Sequence, residues 1–288
     1  MDLGKLLAEK VLICDGAMGT ELMRRGAPTD GPGDRLNLDM PELVEEIHRE
    51  YIEAGSDLTI TNTFGATAIK LAKFGLADRA REINLAGARL ARSAAKQRAL
   101  VAGDIGPCGE MLKPWGAGEP AAIRETFLTQ AQSLAEGGVD CLMLETFFDL
   151  NEALLALDAA RSTGLPVIAS MTFEPKRGGV FTMMGNSAAD CARALAAAGA
   201  TVVGANCSVT ISHMSAIAAA LKSGADVPLI LQPNAGRPDS ADGLLLYHET
   251  PDHFAAFVPD LVAAGARIIG GCCGSSPEFV RAMRAALD

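Results

Sequence analysis

Positive charge is not in surplus: 25 lysines and arginines stand against 35 aspartates and glutamates, a formal net charge of -10. So acidic a chain gives nucleic acid or an anionic membrane no electrostatic reason to bind, and neither is an expected partner. Long apolar runs are also missing. No uninterrupted stretch is long enough to span a bilayer, and residues 1–10 hold no apolar core of signal-peptide length, so a cytoplasmic location is expected. The four histidines, His48, His213, His248 and His253, carry no metal-ligand spacing among themselves and read as surface or supporting groups. No Gly-x-Gly-x-x-Gly follows the first apolar run, which argues against the rival open, doubly wound sheet.

What is present is a repeating cadence. The 288 residues are 49% hydrophobic and 21% charged, enough for one large core or two small ones. Short β-branched or apolar runs at 12–16, 58–62, 100–106, 141–146, 166–173, 202–207, 228–234 and 268–273 read as strands. They alternate with segments of helical spacing at 41–55, 78–96, 120–137, 150–163, 188–199, 212–223, 251–265 and 277–287. Most of these segments begin near proline, serine or aspartate, and several end in glycine, as helix start and stop chemistry requires. Eight βα units in a row predict an α/β fold, a (β/α)8 TIM barrel, as a single domain over residues 1–288. In such a barrel the chemistry sits at the carboxyl ends of the strands. Those ends carry Asp15, Asn62, Asp104, Glu145, Thr172, Cys207, Asn234 and the pair Cys272 and Cys273. Polar groups in that position have no packing purpose, which marks the ring as a site.

Seven cysteines in a reducing compartment read as metal ligands or core rather than as disulfides. Cys14 and Cys141 fall inside apolar strands, Cys191 in an alanine-rich helix and Cys108 in a loop. The remaining three differ. Gly270-Gly-Cys-Cys-Gly274 follows an apolar run and precedes a helix start, and Cys207 ends another apolar run. Neighbours on a strand point to opposite faces, so Cys272 and Cys273 reach one point only if the chain leaves the β pattern there, which glycine permits. Three thiolates converging from two strand ends would make a soft site suited to zinc, with one position left for water or substrate. The alternatives are a strained vicinal disulfide and plain core filling.

Two further stretches carry chemistry. In Asp15-Gly-Ala-Met-Gly-Thr-Glu21 the glycines and a following helical stretch, 21–25, could expose backbone N–H groups to a carboxylate or phosphate, although Asp-Gly is also an ordinary turn signal. Glu145, at the tip of the fourth strand, could pair with an ammonium group or act as an acid or base, or serve only as a helix cap or supporting hydrogen-bond partner. An anion loop, a carboxylate and a sulfur-rich metal site together suit a small sulfur-containing amino acid.

The motifs Asp15-Gly-Ala-Met-Gly-Thr, Thr61-Asn-Thr-Phe-Gly-Ala66, Gly103-Asp-Ile-Gly-Pro107, Glu145-Thr-Phe147, Gly204-Ala-Asn-Cys207, Pro233-Asn-Ala-Gly236 and Gly270-Gly-Cys-Cys-Gly274 resemble the homocysteine S-methyltransferase family. They are most similar to the homocysteine-binding barrel of its cobalamin-dependent branch. The resemblance covers essentially the whole chain. It implies Zn2+ held by Cys207, Cys272 and Cys273, with Asn234 a candidate for the fourth position until substrate sulfur displaces it. It also implies that Glu145 and Asp15 face the amino group of homocysteine, while backbone N–H groups across Gly16, Ala17, Met18 and Gly19 hold its carboxylate. No Asp-x-His-x-x-Gly corrinoid-binding signature occurs in the chain, so an external donor is expected. Likeness to the cobalamin-dependent branch favours methylcobalamin on a separate corrinoid protein. A donor of the S-methylmethionine or betaine type used directly, a different thiol acceptor, or a non-catalytic zinc barrel are the alternatives.

Overall fold

Alternation along each strand decides what faces the centre of the molecule. The computed structural model describes residues 2–241 and 244–287. Eight parallel strands, β1 (Leu12–Ile13), β2 (Leu58–Ile60), β3 (Leu100–Ile105), β4 (Cys141–Phe147), β5 (Val167–Met171), β8 (Val202–Thr210), β9 (Leu229–Asn234) and β12 (Ala266–Ile269), form one sheet. Its order is β1-β12-β9-β8-β5-β4-β3-β2, and a parallel bridge between Cys14 and Leu58 joins β1 to β2 and closes the barrel. Two antiparallel hairpins, β6 (Glu174–Lys176) with β7 (Gly179–Phe181) and β10 (Asp239–Ala241) with β11 (Leu244–Leu246), interrupt the repeat.

The lumen is an apolar cluster of alternate residues: Leu12, Cys14, Leu58, Leu100, Ala102, Cys141, Met143, Ile168, Val202, Ile230 and Ile268. Leu3 and Leu7 of the helix Leu3–Glu9 belong to the same cluster. The residues between them, such as Val101, Leu142, Leu144, Ala169, Val203 and Leu231, join the second cluster beneath the helices. A period of two thus splits one set of apolar strands into two cores. Continued two to four residues further, the inward set becomes polar: Asp104 on β3, Glu145 on β4, Asn206 on β8 and Gln232 and Asn234 on β9. That change marks the mouth.

The eight expected strands are the eight barrel strands, with three notable differences in detail. The last strand stops at Ile269, so Cys272 and Cys273 lie in the loop beyond it. The segment 251–265 forms two helices, Pro251–Ala255 and Val258–Ala263, because Pro259 has no N–H to continue the first. The hairpins and the helix Leu3–Glu9 were not expected from the sequence.

Candidate metal and substrate site

The cysteine loop is fastened from both sides. Cys272 N–H donates to Pro233 O at 2.8 Å, Ala235 N–H to Cys273 O at 2.9 Å, and Gly271 N–H to Asp15 O at 3.1 Å. Ser275 Oγ donates to Cys272 O at 2.7 Å and accepts from Ala17 N–H at 3.2 Å. Glycine serves space at one position and angle at another. A Cβ on Gly271 would come within 2.3 Å of Ser275 Oγ, whereas Gly274 has φ +84 and lies under the Tyr247 ring.

Cys207 reaches the same point by a different route. Strand parity sends Asn206 inward and Cys207 outward, but Cys207 has φ 60, and this left-handed residue turns its side chain toward the mouth. Its Sγ stands 4.0 Å from Cys273 Sγ, and the three sulfurs of Cys207, Cys272 and Cys273 all lie within 4.8 Å of one another. No disulfide joins any of the seven cysteines. Around a tetrahedral zinc, with Zn–S of about 2.3 Å, sulfur atoms stand about 3.8 Å apart, so the spacing and donor type fit that ion. Without a cation the thiols resist ionisation. Hydrogen bonds that the Cys272 thiol donates to Cys207 and Cys273, followed by burial, raise it well above an ordinary thiol, and Cys273 is pushed up to about 12, chiefly by Cys207.

Carboxylates border the sulfurs. Burial, the charge of Cys207 and that of Asp15 push Glu145 up to about 8. Asp15 is raised to about 7 by burial, against the pull of donors from Ile60 N–H at 2.8 Å and Thr59 Oγ1 at 2.7 Å. Asp104, 4% exposed, is driven far above the usual carboxylate range by burial and then by Glu145, Asp34 and Asp15. Its Oδ1, like Asn234 Oδ1 and Gln232 Oε1, is buried with no hydrogen-bond partner among the described residues. Acceptors without donors, and carboxyls whose ionisation burial opposes, suit an ammonium group, which brings three donors and the positive charge that would let them ionise.

The remaining expected residues are distributed as follows. Gly16, Ala17, Met18 and Gly19 run from β1 into the helix Met18–Arg24, and one of their N–H groups, that of Ala17, is engaged by Ser275. Asn62 is turned to the loops, donating to Gly33 O at 3.0 Å and Asn37 Oδ1 at 3.0 Å, and Thr172 is buried. His48 is fully buried rather than at the surface.

Sequence reasoning missed two residues. Asn206 Oδ1 accepts from Thr146 N–H at 2.9 Å and Ser170 Oγ at 2.8 Å, while its Nδ2 donates to Thr146 Oγ1 at 2.7 Å and lies 3.5 Å from Glu145 Oε2 and 4.0 Å from Cys272 Sγ. Strand parity alone could have found it. Tyr247, beyond the second hairpin, lays its ring against Gly274, and its phenol is pushed up to about 12 by burial and then by the charge of Cys273. No spacing in the sequence announces that contact.

Fold and site together define a (β/α)8 barrel with three cysteine sulfurs gathered among carboxyl groups at its carboxyl-end mouth. The chain belongs to the homocysteine S-methyltransferase family, whose model matches residues 12–287. It is 32% identical over 308 residues to methionine synthase of Mycobacterium tuberculosis and 31% identical over 305 residues to that of Mycobacterium leprae. Each alignment covers 99% of this chain and 25% of the relative, so the chain spans about a quarter of the length of these curated relatives. Among solved structures it is similar to homocysteine methyltransferase MmuM of Escherichia coli in its metallated form, with TM-score 0.82, 26% identity, and coverage of 98% of this chain and 99% of that chain. The apo form of the same protein matches with TM-score 0.75.

Proposed function

We propose that the protein transfers a methyl group from an external donor to the sulfur of homocysteine, giving methionine, with Cys207, Cys272 and Cys273 as the ligands of a zinc ion. The convergence of three sulfurs within 4.8 Å beside Glu145 carries this reading. Bound zinc would supply Lewis acidity that holds the substrate sulfur as a thiolate at neutral pH. Asn234, whose buried Oδ1 is unpartnered among the described residues, fits the fourth position before substrate arrives.

The chain's own residues then bind and orient. Glu145 and Asp15 take the substrate ammonium, and the backbone of Gly16 to Gly19 faces its carboxylate. Asn206 holds Glu145 and Cys272 in fixed relation through one amide. With its amino-acid end fixed, the thiolate attacks the methyl carbon in line: the S–C bond forms as the donor–C bond breaks, and the donor leaves with that electron pair.

Similarity to methionine synthases supports methylcobalamin on a corrinoid protein as donor. The match across 99% of the MmuM chain, a homocysteine methyltransferase, supports a second reading in which a small donor is used directly. Purified protein with zinc, homocysteine and free methylcobalamin should show corrinoid demethylation in its absorption spectrum. A parallel reaction with S-methylmethionine separates the donors, and methionine formed from neither would sink both readings.

A further inference from the structure

His48 is 0% exposed on the helix Pro41–Glu53, beneath the mouth, and outside every role given above. Its Nδ1 lies 3.1 Å from Thr59 Oγ1, and Thr59 Oγ1 donates to Asp15 Oδ2 at 2.7 Å. A threonine hydroxyl has one proton. If that proton goes to Asp15, the contact at Nδ1 is a hydrogen bond only when His48 itself carries the proton there. His48 Nε2 is then a bare lone pair, and it has no partner among the described residues. An unpaired acceptor in an apolar setting is tolerated better than an unpaired N–H. The donors therefore run one way, from His48 through Thr59 to Asp15.

We propose that His48 and Thr59 are positioning residues which, as a one-way hydrogen-bond relay, fix the Asp15 carboxylate and so set the protein's preference for thiols that carry an ammonium group. The same helix supports the neighbouring loop through Tyr51, one turn further on, whose hydroxyl lies 3.0 Å from Ala17 O and 3.1 Å from Ser275 O, its one proton shared between the two carbonyls. The carboxylate and the backbone on either side of the substrate's amino-acid end thus share one rigid support. The inference rests on the reading of Asp15 as a substrate contact, and touches neither the metal ligands nor the methyl donor.

The test is calorimetric binding of homocysteine and of 4-mercaptobutanoate, which lacks the amino group, to zinc-loaded protein. Thr59→Val should weaken homocysteine about tenfold, the scale of one lost hydrogen bond to a charged group, and His48→Leu roughly fivefold. His48→Asn, which returns a donor close to the Nδ1 position, should restore affinity to within about twofold. Binding of 4-mercaptobutanoate should shift less than about twofold throughout, with zinc content unchanged. Equal losses for both thiols, or His48→Asn no better than His48→Leu, would overturn the relay. Asp15→Asn separates the premises: if it leaves homocysteine binding intact, the reading of Asp15 fails and the relay with it. If it weakens binding while Thr59→Val does not, the relay alone fails. Should the variants not fold, two-bond nitrogen–proton correlation spectra of the wild-type imidazoles decide the matter. A proton on Nδ1 of His48 is expected, and a proton on Nε2 would contradict the proposal.

Discussion

The sulfurs of Cys207 and Cys273 stand 4.0 Å apart although the residues are 66 positions apart and belong to different strand ends. This is too far for a disulfide, whose sulfurs sit about 2.05 Å apart, and close to the spacing of two ligands on one zinc. Neither residue is placed by a regular strand: Cys207 is left-handed, and Cys273 lies past the end of β12.

Removing one sulfur should therefore remove the ion and the reaction together. Cys207→Ala and Cys272→Ala are each expected to lose stoichiometric zinc and at least about a thousandfold in methyl transfer, since two thiolates leave the coordination incomplete. Metal analysis alongside turnover checks this, and full activity in a metal-free variant would refute the ligand assignment.

Glu145 should behave differently. Glu145→Ala is expected to raise the homocysteine requirement by roughly ten- to a hundredfold, the loss of a charge-assisted contact, while zinc stays bound. Loss of zinc in this variant would show that Glu145 supports the metal instead.

Asn206 connects four groups, so its removal should affect stability as well as binding. Asn206→Ala leaves the Thr146 N–H and the Ser170 hydroxyl without their acceptor, at a cost of roughly 2–3 kcal/mol. Thermal unfolding measures it. An unchanged melting temperature would mean that water replaces the amide.

Acidity gives a signed prediction for the metal-free protein. Asp15 at about 7 and Glu145 at about 8 both bind protons more tightly in the folded chain than in the unfolded one. Stability must then fall as pH rises through their range. Buried His48, lowered to about 4, works in the opposite sense, but only below its unfolded value near 6.5. From pH 6.5 to 8.5 the two carboxyls should together remove roughly 2–3 kcal/mol, and Asp15→Asn should flatten part of the slope. A stability that rises over this window would contradict the burial of both groups.

Much of this is legible in the sequence. The eight strands follow from apolar runs between helical segments, and the GGCCG stretch announces a departure from β geometry because adjacent side chains cannot otherwise converge. Asn206 is equally legible, since parity from Val202 points it inward. Tyr247 and the His48–Thr59–Asp15 chain were not legible. The first depends on how a hairpin folds back over Gly274, and the second on the facing of a helix and two strands separated by loops.

The central claim is that three sulfurs of this chain share one ion with a place left for substrate. X-ray absorption at the zinc edge tests it most directly. The account predicts three sulfur neighbours at about 2.3 Å and one lighter neighbour in the resting protein, changing to four sulfurs when homocysteine is added. Two or fewer sulfurs at rest, or a first shell that ignores homocysteine, would contradict it.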